Sequence, residues 1–116
     1  MIGGLDHVQV AAPPGCEQEA RSFYGGTLGF EEIEKPPLLA ARDGVWFRAG
    51  AHELHVGVEP EFAPARKAHP AFAVADLDAL AARIGEVTWA DPAKIPRTSR
   101  SHCHDPFGNR LEFVQA

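Results

Sequence analysis

The sequence predicts an α+β fold built from two βαβββ units within one domain of 116 residues. Two observations lead to this prediction. The order of one strand, one helix and three strands occurs twice along the chain, and each half opens on a strand-like segment that contains a histidine. The length is that of a single domain. We expect the first unit to span about residues 3–59 and the second about residues 68–116.

The first unit begins with LDHVQVA, in which alternating side chains predict a strand over Leu5–Ala11. Apolar residues at helical spacing then predict one amphipathic helix over residues 16–28, ended by Gly29. Asp43-Gly44 and Gly50-Ala51 have the composition of turns. The three remaining strands of this unit are predicted at residues 30–34, 45–49 and 52–58.

The second unit repeats this order after a loop rich in proline and charge. HPAFAV predicts a strand over residues 69–74, and Asp76 is placed to cap a helix that ends at Gly85. The last two strands are joined by the predicted turn 105–109. Strands are predicted at residues 86–89, 100–104 and 110–114.

Charge and composition exclude several classes of function. The formal net charge is −5 and the chain has no run of lysine and arginine, so it lacks the basic surface of a nucleic-acid-binding protein. No apolar stretch approaches the roughly 20 residues of a membrane span. The two cysteines form no C-x-x-C motif, which argues against a zinc ribbon. We therefore expect a soluble, cytoplasmic protein that contacts neither nucleic acid nor membrane.

The repeat pairs four residues that can bind a metal ion: His7 with His69, and His55 with Glu112. Three imidazoles and one carboxylate suit Zn²⁺, Ni²⁺, Mn²⁺ or Fe²⁺ and disfavour Ca²⁺ or a thiolate site. No short-range ligand motif accompanies them, and a single histidine is more typical of a surface or of a satisfied core position.

Five segments spread over nearly the whole chain carry a resemblance to a known family: LDHVQVA, FYGGTLGF, ELHVGVE, HPAFAVADLDAL and DPFGNRLEFV. They resemble the vicinal oxygen chelate superfamily, which includes glyoxalase I, bleomycin and fosfomycin resistance proteins and extradiol dioxygenases. The resemblance implies a glyoxalase-like fold, in which paired βαβββ modules form a cupped, barrel-like mixed sheet with metal ligands on the first and last strands of each module.

Matched residue by residue, the resemblance implies metal ligands at His7 in LDHV, His69 in HPAF and Glu112 in RLEF. The fourth position falls in HELHVGV, where glyoxalases usually have glutamate. We favour His55 there, with Glu53 as the alternative two residues earlier on the same strand face. Glu112 is expected to be required for metal binding or proton transfer, and His55 to act as a further catalytic residue that tunes the site.

The resemblance implies a metal-dependent lyase or isomerase whose small-molecule substrate chelates the metal through two adjacent oxygens. One alternative is a non-catalytic protein that binds a small molecule or an antibiotic. A further alternative is an extradiol-type dioxygenase with Fe²⁺ on His7, His69 and Glu112, although such enzymes usually carry additional modules. Relatives with one pair of modules commonly associate, so a homodimer is expected.

Several other histidines, aromatic residues and arginines are interpreted as ordinary surface or core residues. His102 and His104 share one strand face near Glu112, and solvent exposure is the favoured interpretation for both. The aromatic residues at strand positions are interpreted as core. Four scattered arginines in an acidic domain are typical of a solvated surface. These are Arg48, Arg97, Arg100 and Arg110.

Overall fold

The computed structural model describes residues 1–91 and 99–116. They form two compact units, Met1–Pro64 and Ala65–Ala116, called unit 1 and unit 2 below. Each unit has the predicted βαβββ order, so the α+β class is confirmed. Within the described residues, no helix has the length and apolar character that a bilayer crossing requires. In unit 1 the elements are β1 His7–Ala12, α1 Glu17–Ala20, β2 Glu31–Ile33, β3 Val45–Ala49 and β4 His52–Val58. In unit 2 they are β5 Ala71–Val74, α2 Leu77–Ile84, β6 Thr88–Trp89, β7 Arg100–His104 and β8 Arg110–Gln115.

The sheet of unit 1 has the strand order β1-β4-β3-β2, in which only β1 and β4 are parallel neighbours. Alternation along these strands separates an apolar face from a polar face. The apolar face carries the fully buried Phe47 and Leu54. The polar face of unit 1 consists of His7, Gln9, Trp46, Arg48, Glu53 and His55.

The helix predicted over residues 16–28 is only partly α-helical. One α-helical turn, Glu17–Ala20, continues as a π-helix over Arg21–Thr27. Gly25 and Gly26 are poor helix formers, which weakens the regular hydrogen-bond ladder at this point. The wider turn coincides with Tyr24, which is fully buried and lies with its ring centroid 5.7 Å from that of Phe47.

The loop that leads into β3 is tied to α1 through Gly44. The Gly44 amide donates to Oε2 of Glu17 at 2.8 Å, and Lys35 Nζ donates to the carbonyl oxygen of Gly44 at 3.1 Å. The amide of Gly44 is the main cause of a lowered pKa at Glu17. The ionised carboxylate therefore stabilises the start of β3.

Replacing Glu17 by glutamine should make the stability of the protein less sensitive to acid. Because the pKa of Glu17 is lowered by folding, its stabilising contribution is present above the unfolded-state pKa and is lost as pH falls through the folded-state pKa. Urea unfolding at about pH 7 and about pH 3 measures the difference. The variant should be less stable than wild type at the higher pH only. Glu19→Gln, in the same turn and exposed, is the control.

The sheet of unit 2 has the order β5-β8-β7-β6, again with only the first pair parallel. Leu111 and Phe113 are buried on its apolar face. As predicted, Asp76 caps α2, and its carboxylate accepts from the amide of Ala79 at 3.0 Å. The polar face of unit 2 consists of Arg100, His102, His104, Arg110 and Glu112.

Two predicted strand starts in unit 2 are wrong by two residues. β5 begins at Ala71, so His69 lies just before the strand, because Pro70 has no N–H to donate to a ladder. The carbonyl oxygen of Pro70 still accepts from the amide of Glu112 at 3.0 Å, which holds this segment beside β8. β6 begins at Thr88, two residues after the predicted start at Glu86.

The predicted turn between β7 and β8 is organised by the buried carboxylate of Asp105. Its Oδ1 accepts from the amides of Phe107 and Asn109, both at 2.9 Å, and its Oδ2 accepts from Nδ2 of Asn109 at 2.9 Å. A short side chain that accepts from amides further along the chain is a favourable turn arrangement. This turn sets the register of β8, which carries Glu112.

Both thiols of the native protein should react slowly with an aromatic disulfide reagent. Cys16 and Cys103 are free and buried. Burial, with the charge of Asp105 second, raises the pKa of Cys103 to about 11. At about pH 8 roughly one such thiol in a thousand is ionised. At a fixed reagent concentration, absorbance should show that little of the coloured aromatic thiolate is released from the reagent until denaturant is added. Rapid reaction of a native thiol would contradict this prediction.

Candidate functional site

The polar face of unit 1 holds three stacked rings. His55 lies on β4 between His7 of β1 and Trp46 of β3, with ring centroids 4.2 Å from His7 and 3.7 Å from Trp46. The planes of Trp46 and His55 differ by only 2°. His55 is consequently 4% exposed, whereas the side chain of His7 is 45% exposed. Of these two stacked imidazoles, that of His7 is the one that solvent can reach.

Each of the three candidate histidine ligands has one ring nitrogen bound to an oxygen acceptor. Nδ1 of His69 lies 2.7 Å from the carbonyl oxygen of Lys67. Nδ1 of His7 lies 2.8 Å from a carboxylate oxygen of Asp6, and Nε2 of His55 lies 2.9 Å from Oε1 of Glu53. These acceptors require the histidine to donate, so a neutral ring keeps its lone pair on the other nitrogen.

In unit 2 the carboxylate of Glu112 lies between two cationic or potentially cationic groups. Its Oε2 is 3.7 Å from Nε2 of His69, and its Oε1 is 3.5 Å from Nη1 of Arg100. The Glu112 side chain is 23% exposed and the Arg100 side chain 22%. The nitrogen of His69 that approaches Glu112 is the one left free by its bond to Lys67.

His102 is the cross-strand neighbour of Glu112. Nη2 of Arg110 donates to its Nε2 over 3.4 Å. Burial is the largest cause of a lowered pKa at His102, followed by the charges of Arg110 and His104. Because a guanidinium can only donate, Nε2 of His102 is the acceptor in the bond with Arg110. The favoured interpretation of solvent exposure holds for His104 but is wrong for His102, which is half-buried.

The strand registers distinguish between His55 and Glu53. Glu112 is aligned with Ala71, two residues after His69. In unit 1 the residue aligned two residues after His7, at Gln9, is His55. His55 is thus the counterpart of Glu112. Glu53, aligned with His7 itself, instead accepts the hydrogen bond of His55.

The donor set fits a divalent transition metal in chemistry and, in unit 2, in spacing. Two ligands on one zinc-like ion in tetrahedral arrangement are about 3.4 Å apart, close to the 3.7 Å between His69 and Glu112. The ring nitrogens of His7 and His55 have their lone pairs in two nearly parallel planes, stacked with centroids 4.2 Å apart, so one ring must turn before both can bind one ion. Within residues 1–91 and 99–116, no three His, Cys, Asp or Glu side chains are already grouped as a metal site.

The structure thus brings the predicted residues together in two pairs, His7 with His55 and His69 with Glu112. Sequence reasoning missed the role of Arg100, which was interpreted as solvated surface. The available signal was the period of two along β7, which places Arg100 and His102 on the face that carries Glu112. Trp46 was interpreted as core but lies half-buried against His55. Arg97 lies outside the described residues.

The class of the protein is defined by its two βαβββ units and by one pair of possible metal donors in each unit. The pairs, His7 with His55 and His69 with Glu112, lie on the first and last strands of the units or directly beside them. The sequence profile of the Glyoxalase/Bleomycin resistance protein/Dioxygenase superfamily matches residues 4–113. The chain belongs to this superfamily, as the resemblance implied. A comparison with curated proteins found no significant match.

Solved structures agree with this assignment. A protein described as a member of the glyoxalase family from Bacillus anthracis is 51% identical, with a TM-score of 0.93 over 99% of this chain and 96% of that chain. A glyoxalase/dioxygenase from Nostoc punctiforme is 26% identical, with a TM-score of 0.67 over 92% of this chain and 88% of that chain. Lactoylglutathione lyase from Agrobacterium tumefaciens is 21% identical, with a TM-score of 0.66 over 94% and 92%, and shares the fold.

Proposed function

We propose that the chain is a divalent-metal-dependent lyase or isomerase whose metal donors are His7, His55, His69 and Glu112. The observation that carries this proposal is the hydrogen bonding of the three histidines, each of which donates one N–H to a carbonyl or carboxylate oxygen. Histidines that bind metals nearly always have such an acceptor, because it sets the tautomer and raises the basicity of the free nitrogen.

The cation would supply Lewis acidity toward two adjacent oxygens of a small substrate. Glu112 is the base, because it is the only carboxylate among the four donors and its Oε2 is not engaged by Arg100, which lies at Oε1. One oxygen can accept a proton from a carbon beside the substrate oxygens and return it to the neighbouring carbon. Arg100 holds the other oxygen, so the carboxylate stays oriented during the transfer.

His55 has a different part in this mechanism. Its ring is buried and its Nε2–H is held by Glu53, which leaves Nδ1 as the nitrogen that can bind. Glu53 is therefore a positioning residue and not a ligand. The stack with Trp46 restricts the ring further. We expect His55 to tune affinity while Glu112 determines turnover.

Metal uptake by the purified protein tests this proposal. Chelator-treated protein is titrated with Ni²⁺, Zn²⁺, Mn²⁺ or Fe²⁺, and bound metal is counted by mass spectrometry of the desalted protein. A Trp89→Phe background leaves Trp46 as the only tryptophan, so its emission should change when the stacked His55 binds the ion. Retention of a stoichiometric amount of one of these metals supports the proposal. Occupancy well below one ion per chain with all four metals would overturn it.

A second candidate function is metal-free binding of a small molecule. The observation that favours it is the stack of His7, His55 and Trp46, an aromatic surface that suits a flat ligand. In this case Trp46 emission should respond to an aromatic compound in the presence of chelator, while the metals above leave it unchanged. The same protein preparation therefore separates the two functions.

We also propose that the chain is a cytoplasmic homodimer. A domain of this size buries only about two-thirds of its unfolded surface, so a shared face adds stability. The two free cysteines are consistent with a reducing compartment. Sedimentation velocity at micromolar concentration should give the mass of two chains, and a monomer would rule out the dimer.

A further inference from the structure

The polar face of unit 2 gathers more positive than negative side chains. Arg100, His102 and His104 alternate along β7 on the side opposite the buried Ser101 and Cys103. On β8, Glu112 lies opposite His102 and Arg110 lies opposite His104, so both are on this same face. Two guanidinium groups therefore share this face with one carboxylate, in a chain whose net charge is −5.

Both guanidinium groups approach the centre of this face. Arg100 lies opposite Val114 and Arg110 opposite His104, so their backbones are separated by four residues along the sheet, roughly 13 Å. Their head groups nevertheless reach the same cross-strand pair, Arg100 at Glu112 over 3.5 Å and Arg110 at His102 over 3.4 Å. The two guanidinium groups are therefore brought to one place on the sheet, beside a single carboxylate.

These guanidinium groups retain unused hydrogen-bond donors. Nε of Arg100 is buried and has no hydrogen-bond partner among the residues that the structure describes. The hydrogen bond of Arg110 goes to the imidazole of His102 and not to a carboxylate, so that bond supplies no negative charge to the guanidinium. A buried donor and an uncompensated charge at one place favour an oxyanion, which accepts from a planar guanidinium in a fixed geometry.

We propose that Arg100 and Arg110 form an oxyanion subsite that binds a carboxylate or phosphate group of the substrate beside Glu112. This inference rests on the proposed function, because it adds an acidic group to the proposed substrate, which binds the metal through two adjacent oxygens. An acid with an oxygen on the neighbouring carbon combines both features. The substrate class is accordingly small hydroxy or oxo acids, or their phosphorylated equivalents.

The test uses the metal-free protein, so that it does not depend on metal binding. Amide signals in ¹⁵N–¹H correlation spectra are followed during titration with glycolate, inorganic phosphate and the neutral glycolamide. Glycolate or phosphate should shift the amide signals of β7 and β8 with millimolar affinity. Whichever anion binds more tightly shows whether the subsite prefers a carboxylate or a phosphate group. Glycolamide should bind at least about tenfold more weakly, because it lacks the charge.

Variants assign the binding to these residues. Arg100→Gln and Arg110→Gln should each weaken anion binding about tenfold or more, and Arg110→Lys should restore part of it. Arg48→Gln is the matched control, since Arg48 lies in unit 1 and its side chain is 54% exposed. The dispersion of the same spectra shows whether each variant is folded. Equal binding by wild type and both glutamine variants would overturn the subsite, as would equal binding of glycolamide.

The outcomes also separate this inference from the proposed function. Anion binding that depends on Arg100 and Arg110, in a protein that takes up no metal, supports the subsite and rejects the metal-dependent enzyme. Stoichiometric metal uptake without anion binding up to about 100 mM, a concentration far above a millimolar dissociation constant, rejects the subsite alone.

Discussion

Glu112→Gln should abolish turnover of any substrate and weaken metal affinity by about 10-fold to 100-fold or more. Changes to groups that merely orient ligands already cost that much, and glutamine removes both the only anionic donor and its basicity. The substitution preserves size and one oxygen acceptor. Calorimetric titration with Ni²⁺ or Zn²⁺, together with assays at saturating metal, separates the loss of affinity from the loss of proton transfer.

Two further variants complete this experiment. Glu86→Gln makes the same chemical change at an exposed position of unit 2 and should bind metal like wild type. His55→Gln should retain measurable metal affinity. If Glu112→Gln instead keeps full occupancy and full activity while His55→Gln loses both, the two roles have been assigned in reverse, and Glu53 with His55 becomes the pair that carries the chemistry.

Gly44→Ala should destabilise the protein by about 3 kcal/mol or more, because two penalties add. The backbone of Gly44 has φ of +103°, a conformation that residues with a side chain rarely adopt. A Cβ there would lie 2.4 Å from the carbonyl oxygen of Val56, and a backbone atom in β4 cannot move aside as a flexible side chain can. Urea or thermal unfolding measures the loss.

Gly50→Ala is the matched control for this prediction. Gly50 also has positive φ, +62°, but a Cβ there meets nothing within 4 Å. It therefore incurs only the backbone penalty, about 1 kcal/mol. If the two variants lose the same stability, the contact with Val56 has no energetic weight. A large loss in Gly44→Ala alone is expected, because its φ of +103° is less favourable for alanine than the +62° of Gly50 and because its Cβ meets the strand that carries His55.

Much of the architecture was readable from local patterns. Strand-like segments bounded by turn residues predicted β3, β4, β7 and β8 to within one residue at each end. The order of elements in the two halves predicted the paired units, and the superfamily followed from motifs spread over the chain. Such features depend on neighbours in sequence, so they can be inferred without a structure. The prediction was less accurate at the first helix, where Gly25 and Gly26 accompany a π-helical turn. It was also less accurate for β1, β5 and β6, each of which begins two residues later than predicted.

The types of the four candidate donors were determined by the sequence alone, and so was their pairing between the repeats. Only the tertiary structure decided that Glu53 accepts a bond from His55, that His69 presents Nε2 toward Glu112, and that Arg100 approaches the same carboxylate. These contacts depend on strand register and on rotamers set by residues far apart in sequence. Glu112 and Arg100 are twelve positions apart, yet one sheet register and a 3.5 Å approach between their side chains determine what the carboxylate can bind.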